Sequence, residues 1–469
     1  MSRRAAVPYL TAAVFFLLYA TLAVLRVRRM EATAYDLGIF TQAVRSYAEL
    51  RAPVADLKGP GFPLLGDHFH PILALLAPLY AVFPTPTTLV VAQAALFGLS
   101  VLPVTRLAVG ALGVRAGGCV GVAYGLSFGV QQAVVFDFHE VAFAVPLLAF
   151  CAEALLRERW RRAFWWAVPL LLVKEDQAAV VVAVGGYLFL RGQRRSGALL
   201  AALGVAGGLL TVFVLIPAVH PDGVYPYLGT TGGGGNPLLR LLAPAPKWWL
   251  VFLLLLGGGF AAVLSPLALV AVPPLLLRFW TEKPAYWATE FHYNSVLMPV
   301  LFAAAVDGLC RLRDLLVARG APAGRRRWSR AAVPAVAGFM AVYALAATAA
   351  QPLGTLVRPQ TWRVPPEVTA ARRLLAAHVP DGAAVAADNV VAPLLVSRCV
   401  VRMFPDAVDP RGNPLPAPRP PDTPWVATRE PPFPFPLKPD AHRRFVASLP
   451  TYGYTLVAAG GGVLLFRRG

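Results

Sequence analysis

Apolar runs of about 20 residues recur through the first three quarters of the chain, and each is long enough to cross a hydrocarbon core of roughly 30 Å. Val7 to Leu25, Thr87 to Val109, Ala116 to Val135, Gly197 to Pro217 and Ala331 to Ala350 are the plainest of them. Lipid offers no partner to backbone N–H and C=O groups, so such runs satisfy them internally as α-helices. Composition agrees, because 57% of the 469 residues are hydrophobic and 14% are charged, against roughly a quarter charged in soluble domains. The chain reads as a polytopic helical membrane protein, and a soluble enzyme is excluded.

Lys and Arg number 43 against 24 Asp and Glu, a net charge of +19. In a soluble protein that excess would point to nucleic acid. Here the basic residues cluster between apolar runs, as helix orientation demands, and no nucleic-acid partner is expected. Arg157 to Arg162, Arg191 to Arg195 and Arg311 to Arg330 are therefore placed in the cytoplasm. Parity then makes Ala163 to Leu190 a hairpin of two short helices with Lys174-Glu175-Asp176 at its outer tip. It also makes Trp248 to Phe279 two short helices broken near Ser265-Pro266, and Tyr293 to Cys310 a later span. Pro71 to Phe83 is too short to span and reads as a helix lying at the outer interface. The expected fold is mainly α, a bundle of about 11 spans, N-terminus inside and C-terminus outside. Arg26, Arg28 and Arg29 then fall outside, against the positive-inside rule.

Residues 1–350 form the expected transmembrane domain, with outer loops 26–86, 218–247 and 280–292. Residues 351–469 read as a small exported α/β domain with a Pro-rich loop over 405–439, where 13 prolines deny both helix and sheet interior. The four cysteines, Cys119, Cys151, Cys310 and Cys399, suggest no disulfide framework. The location implied is the cytoplasmic (plasma) membrane.

The unusual polar clusters all fall on the outer side of this topology. They are Tyr35-Asp36-Leu37-Gly38, Asp67-His68-Phe69-His70, Asp137-Phe138-His139-Glu140, Lys174-Glu175-Asp176, His220-Pro221-Asp222 and Glu290-Phe291-His292-Tyr293-Asn294. Ionisable groups beside hydrocarbon cost free energy and tend to mark function. Each cluster also has a plainer reading. Asp36 suits a helix N-cap ahead of Leu37 to Leu50. His68 and His70 would share one face of an extended segment, compatible with a metal or a phosphate, but no third ligand stands at metal spacing. Asp137, His139 and Glu140 could solvate a turn, and Lys174 could form a structural ion pair with Glu175, Asp176 or another buried acid. The run Gly232 to Gly235 lacks the Gly-Lys-Ser/Thr of a phosphate loop and reads as an outer loop that could cover a site. No His-Glu-x-x-His pattern is present, so a zinc-protease reading has no support.

Tyr35-Asp36-Leu37-Gly38-Ile39-Phe40, His68-Phe69-His70-Pro71-Ile72-Leu73, Phe138-His139-Glu140, Lys174-Glu175-Asp176 and Phe291-His292-Tyr293-Asn294 together resemble the membrane family called domain of unknown function 2079. The ending from Gly453-Tyr454 to Gly469 resembles it too. The likeness covers nearly the whole chain. It departs at His70, where a small residue is expected, and in the proline density of the tail. The family is similar in layout to the GT-C class of glycosyltransferases, which use polyprenyl-phosphate-linked sugars at the outer membrane face. The resemblance implies a transferase acting on an envelope glycan, lipid or protein acceptor, with membrane lipid as its surroundings. Asp36 matches the acidic residue of the first outer loop and is the candidate general base. His68, His70, His139 and Lys174 are candidates for binding phosphate or leaving group. Glu140, Glu175 and Asp176 would orient those cations or hold a divalent metal, and Asp137, His292 and Tyr293 complete the substrate-binding set. The alternative is a transporter or flippase for a lipid or polar solute, which would place its charges near mid-membrane between related halves. A third reading is a noncatalytic envelope protein.

Overall fold

The computed structural model describes residues 3–227, 237–281, 283–317 and 323–469. Gly232 to Gly235 lie outside the described residues. The first half comprises α1 (Arg3–Arg28), α2 (Ile39–Ala48), α3 (Ala77–Val82), α4 (Pro86–Leu112), α5 (Val114–Gly125), α6 (Phe128–Val135), α7 (Ala144–Leu156), α8 (Trp160–Ala167) and α9 (Gln177–Leu190). There follow α10 (Arg194–Leu210), α11 (Ile216–Val219), α12 (Pro237–Leu242), α13 (Pro246–Gly257), α14 (Val272–Trp280), α15 (Met298–Val317), α16 (Ala323–Thr348), α17 (Pro366–His378) and α18 (Pro439–Ala447).

Among the described residues five stretches are long and apolar enough to cross a membrane: Arg4–Arg28, Pro86–Leu112, Val114–Val135, Arg194–Val219 and Ala331–Thr348. Pro71–Val82, Gln177–Leu190, Pro246–Gly257 and Pro266–Trp280 are shorter apolar pieces. Small residues let these helices touch. A Cβ on Gly185 would sit 2.6 Å from the Ala201 amide nitrogen, and one on Gly197 2.5 Å from that of Phe189, so α9 and α10 meet backbone to backbone.

The hairpin expected over Ala163 to Leu190 is present, with Lys174-Glu175-Asp176 at its turn. Trp248 to Phe279 differs from the expectation. Ser265 does mark a break, its hydroxyl accepting from Leu267 N–H at 3.2 Å. The first helix has already ended at Gly257, however, and Phe260 takes a left-handed φ of 59°. The span expected from Tyr293 begins at Met298 and runs to Val317, because the preceding residues turn to serve the polar loops.

Two ends of the bundle differ in chemistry. At one, Arg4 donates to Gly110 O (3.1 Å), Arg157 to Arg106 O (3.1 Å) and Arg313 to Ala111 O (3.5 Å), and Arg191 pairs with Glu158 (2.8 Å). At the other, Arg29 donates to Gln360 O and Arg363 O, both at 2.6 Å, and Arg372 to Val27 O at 2.9 Å. The C-terminal segment therefore packs on the end where α1 leaves the bundle. Two of the three arginines set against the positive-inside rule have partners here: Arg29 pairs with Glu31 (2.7 Å), and Arg26 lies 3.8 Å from Glu31 and 3.9 Å from Asp137. Their charge is spent on local carboxylates and carbonyls.

The C-terminal segment holds β1 (Ala384–Ala387), β2 (Val400–Met403), β3 (Asp406–Val408), β4 (Pro414–Arg419), β5 (Trp425–Arg429), β6 (Tyr454–Gly460) and β7 (Val463–Arg468). The five-stranded sheet has the order β2-β1-β5-β7-β6, parallel between β1 and its two neighbours and antiparallel across β7. The expectation that 405–439 is only a loop is corrected here, since β3, β4 and β5 all lie in it. The proline-free run Trp425-Val-Ala-Thr-Arg429 supplies the central strand. In β4 the prolines at 414, 416 and 418 fall at every second residue, so the missing donors share one edge and the other edge pairs with β3. One apolar core runs from the helices into Val385, Leu395 and Leu465, and a smaller cluster around Phe404, Val426 and Tyr454 lies on the other face.

Candidate active site at the loop end of the bundle

Asp36 sits in a wide helical turn, Ala34–Gly38, that feeds α2. The N-cap reading of this residue is not what the structure contains: the residue before α2 is Gly38, and no side chain caps the helix. Asp36 instead keeps its carboxylate free of the backbone, 4.0 Å from His139 Nε2 and 23% exposed. The turn is held from the C-terminal segment, where Asn389 accepts Ala34 N–H on its backbone oxygen (2.6 Å) and Tyr35 N–H on Oδ1 (3.0 Å). Burial pushes the Asp36 carboxyl above its ordinary range, against the pull of His139.

Glu140 is fully buried between His139 and Lys174, with His139 Nδ1 at 2.6 Å and Lys174 Nζ at 3.0 Å. Burial would raise the Glu140 carboxyl, but His139 and Lys174 outweigh it and hold it well below the usual range. For Lys174 burial is likewise outweighed, chiefly by Glu140, and the ammonium is held well above its usual range. Gln93 pins the turn that carries these groups, accepting His139 N–H (2.9 Å) and donating to Asp137 O (2.5 Å). The His292 ring stacks on His139, centroids 3.5 Å apart. Burial first, then the neighbouring His139, holds His292 well below the usual imidazole range.

Asp36, His139 and His292 offer three ligand atoms within 4.8 Å of one another. The buried Nδ1 of His292 has no hydrogen-bond partner among the described residues. The donor types suit a divalent metal. The ring geometry does not, because two imidazoles in a tetrahedral shell stand about 5 Å apart between centroids, whereas these stack at 3.5 Å.

Beside this group opens a cavity of about 400 Å³. Its polar wall includes His68, Lys174, Glu175, Asp176, His292 and Tyr293, all expected from the sequence. Val141, Val212, Pro274, Leu277 and Val296 form an apolar side. Glu175 Oε1 lies 2.6 Å from His68 Nδ1 and accepts Tyr225 OH at 3.1 Å, while Oε2 accepts Phe69 N–H at 3.2 Å. Burial opposes ionisation of Glu175, but His68 prevails and brings it down to about 2. Glu175 in turn raises His68 against the effect of burial. Asp176 accepts from Gln177 at 3.0 Å and is raised by burial.

Asp36, His139 and Glu140 adjoin the cavity without lining it, and Asp137 and His70 are likewise outside its lining. Asp137 accepts Thr33 N–H (2.8 Å) and Thr33 OH (2.6 Å), tying the α1 exit to the α6–α7 turn. Burial raises it to about 6. His70 is 1% exposed with its ring edge-on to Phe40, and burial lowers it to about 4, so it is a neutral packed ring at pH 7.

Sequence reasoning missed several participants. Tyr227 lies parallel on the His68 ring, centroids 4.6 Å apart, and donates to Asp67 (2.8 Å), which pairs with Lys58 at 2.5 Å. Arg278 is buried at the cavity wall and donates to Tyr286 O (2.7 Å), Tyr293 O (3.1 Å) and Asn294 Oδ1 (2.8 Å). A lone arginine inside the apolar stretch Trp248 to Phe279 is a usable signal. Nothing local marks Tyr225, Tyr227 or Asn389.

The model of the predicted membrane protein family DUF2079 matches residues 26–413. Among solved structures, that of ArnT from Cupriavidus metallidurans bound to undecaprenyl phosphate aligns with a TM-score of 0.59 at 15% identity, covering 97% of each chain. ArnT from the same organism in the apo state aligns with a TM-score of 0.59 at 14% identity and the same coverage. The chain thus has the ArnT-like, GT-C-type fold. No curated protein matches it in sequence.

Proposed function

The chain belongs to the DUF2079 family of predicted membrane proteins, and from its fold and site we propose an integral-membrane glycosyltransferase that moves a sugar from a polyprenyl-phosphate donor to a cell-envelope acceptor. The observation that carries this reading is convergence: His68, Lys174-Glu175-Asp176 and His292-Tyr293 line one cavity together with apolar side chains, and Asp36, His139 and Glu140 adjoin it through His292 and Lys174. That pairing suits a donor with a charged phosphate head and a hydrocarbon tail. The ArnT neighbour was solved with undecaprenyl phosphate, a ligand of this class. The location we assign is the plasma membrane, with the cavity and residues 351–469 at the outer face.

In this reading Asp36 takes the proton of the acceptor hydroxyl as that oxygen attacks the anomeric carbon. The bond from that carbon to the phosphate oxygen breaks, and the lipid phosphate leaves with the electron pair. Lys174 faces the cavity and offers its positive charge to that phosphate, and His68, protonated beside Glu175, supplies a second cation. Glu140 fixes both His139 and Lys174, so one buried carboxylate sets the spacing of base and phosphate sites. Val141, Val212, Leu277 and Val296 would accept the first isoprene units. Asp137 and His70 act in this scheme as packing and positioning residues.

The test is transfer of labelled sugar from a panel of polyprenyl-phosphate donors in membranes expressing wild type or Asp36→Asn at matched levels. Donor-dependent transfer that the variant loses supports the proposal. Undiminished transfer by Asp36→Asn would remove Asp36 from the reaction, and no transfer from any donor would return weight to transport.

A further inference from the structure

At the arginine-rich end, opposite the candidate site, lies a second cleft of about 640 Å³, within the size range of ligand sites. It is bordered by the end of α7, by α8 and by Arg106 of α4. Five arginines line it, Arg106, Arg157, Arg159, Arg161 and Arg162, against the single carboxylate of Glu153. Glu153 is buried and already committed: Arg106 Nε donates to it at 2.7 Å, its second nitrogen bonds the other oxygen, and Arg157 lies at 3.1 Å. Arg159, Arg161 and Arg162 are exposed and make no ion pair among the described residues. Three guanidinium groups thus face the cleft with no protein anion to neutralise them.

The rest of the cleft is aromatic. Phe150 and Trp166 stack at 4.7 Å between centroids, and Trp165 is 64% exposed beside them. The sequence of α8, Trp-Arg-Arg-Ala-Phe-Trp-Trp-Ala, interleaves cations with indoles, the pattern of a helix lying at a membrane interface. A free phosphate would satisfy the guanidiniums and leave the indoles exposed. A phosphodiester attached to acyl chains satisfies both, since Arg forks match phosphate oxygens and indole rings pack on glycerol and upper chain.

We propose that this cleft binds the headgroup of an anionic glycerophospholipid from the leaflet opposite the candidate active site. The lipid would cross-link α4, α7 and α8, anchoring the hairpin whose far turn carries Lys174 and Glu175. This proposal does not depend on the transferase reading.

The test uses the full chain purified in neutral detergent and titrated with phosphatidylglycerol or phosphatidylcholine under native mass spectrometry. Wild type is expected to bind phosphatidylglycerol about tenfold or more tightly than phosphatidylcholine. The triple variant Arg159→Ala/Arg161→Ala/Arg162→Ala should lose that preference. Arg194→Ala/Arg195→Ala, exposed at the same end but outside the cleft, should keep it. Equal binding of the two lipids by wild type overturns the proposal without any variant. So does a triple variant that keeps the preference, a control that loses it equally, or full displacement of the lipid by millimolar inorganic phosphate.

Discussion

Replacing Lys174 by Met removes the cation that faces Glu140 at 3.0 Å, at a place where Glu140 has no exposed side-chain surface and Lys174 only 12%. Stranding one partner of a buried pair costs about 3–5 kcal/mol. His139, at 2.6 Å from the other carboxylate oxygen, remains and places the expected loss near the lower end. In the wild type Glu140 titrates well below its free value of 4.5, so it is ionised in both folded and unfolded chains above about pH 5.5 and adds no slope there. In Lys174→Met the lowering by Lys174 is gone while that by His139 persists, so the folded carboxyl rises relative to wild type and the deficit shrinks as pH falls through it. The assay is thermal unfolding in detergent between about pH 4 and 8 for wild type, Lys174→Met, Glu140→Gln and the double variant. The double variant should recover most of the loss, because no buried charge is left alone. A double variant as unstable as Lys174→Met, with a deficit independent of pH, would refute the reasoning.

Asp36→Asn should lower turnover by about 10²–10⁴-fold with unchanged melting. Because burial raises the Asp36 carboxyl, the acid limb of the wild-type rate profile should fall at higher pH than an ordinary carboxylate would give. Glu175→Gln should cost on the order of 3 kcal/mol at most, from a carboxyl brought from 4.5 to about 2. The Glu175 share of stability is present above 4.5 and lost as pH falls toward about 2, whereas the His68 share is present below 6.5 and lost as pH rises through its raised value. The melting difference between wild type and variant should therefore peak between those limits. Gly308→Ala should be strongly destabilising, since its Cβ would lie 1.8 Å from the Ala261 carbonyl oxygen where α15 meets the turn after α13; a melting point within a degree or two of wild type would contradict that contact.

Much of the site is legible in the amino-acid sequence because ionisable residues beside apolar runs stand out one by one. Glu140, Lys174, Glu175 and His292 are conspicuous in that sense, and all four meet at the cavity or directly behind its wall. What the sequence hides are roles set by partners far away along the chain. Asp137 resembles its neighbour His139 in setting, yet Thr33 and Arg26 claim it. His68 and His70 look equivalent, yet one pairs with Glu175 across 107 positions and the other is sealed against Phe40. The Pro-rich tail misleads because proline density argues against strands in general, while β4 uses its prolines on one edge and β5 has none.

The sequence by itself determined that this is a helical membrane bundle, which end carries the arginines, and which loops are polar. Those are properties of the residues against lipid and water, a transfer free energy that each segment meets locally. Only the tertiary structure decided that Asn389 holds the Asp36 turn across 354 positions, that Tyr227 covers His68, and that Glu140 sits between His139 and Lys174. Those contacts depend on the rotation and crossing of packed helices, which the apolar pattern of a chain immersed in lipid leaves free and close packing fixes.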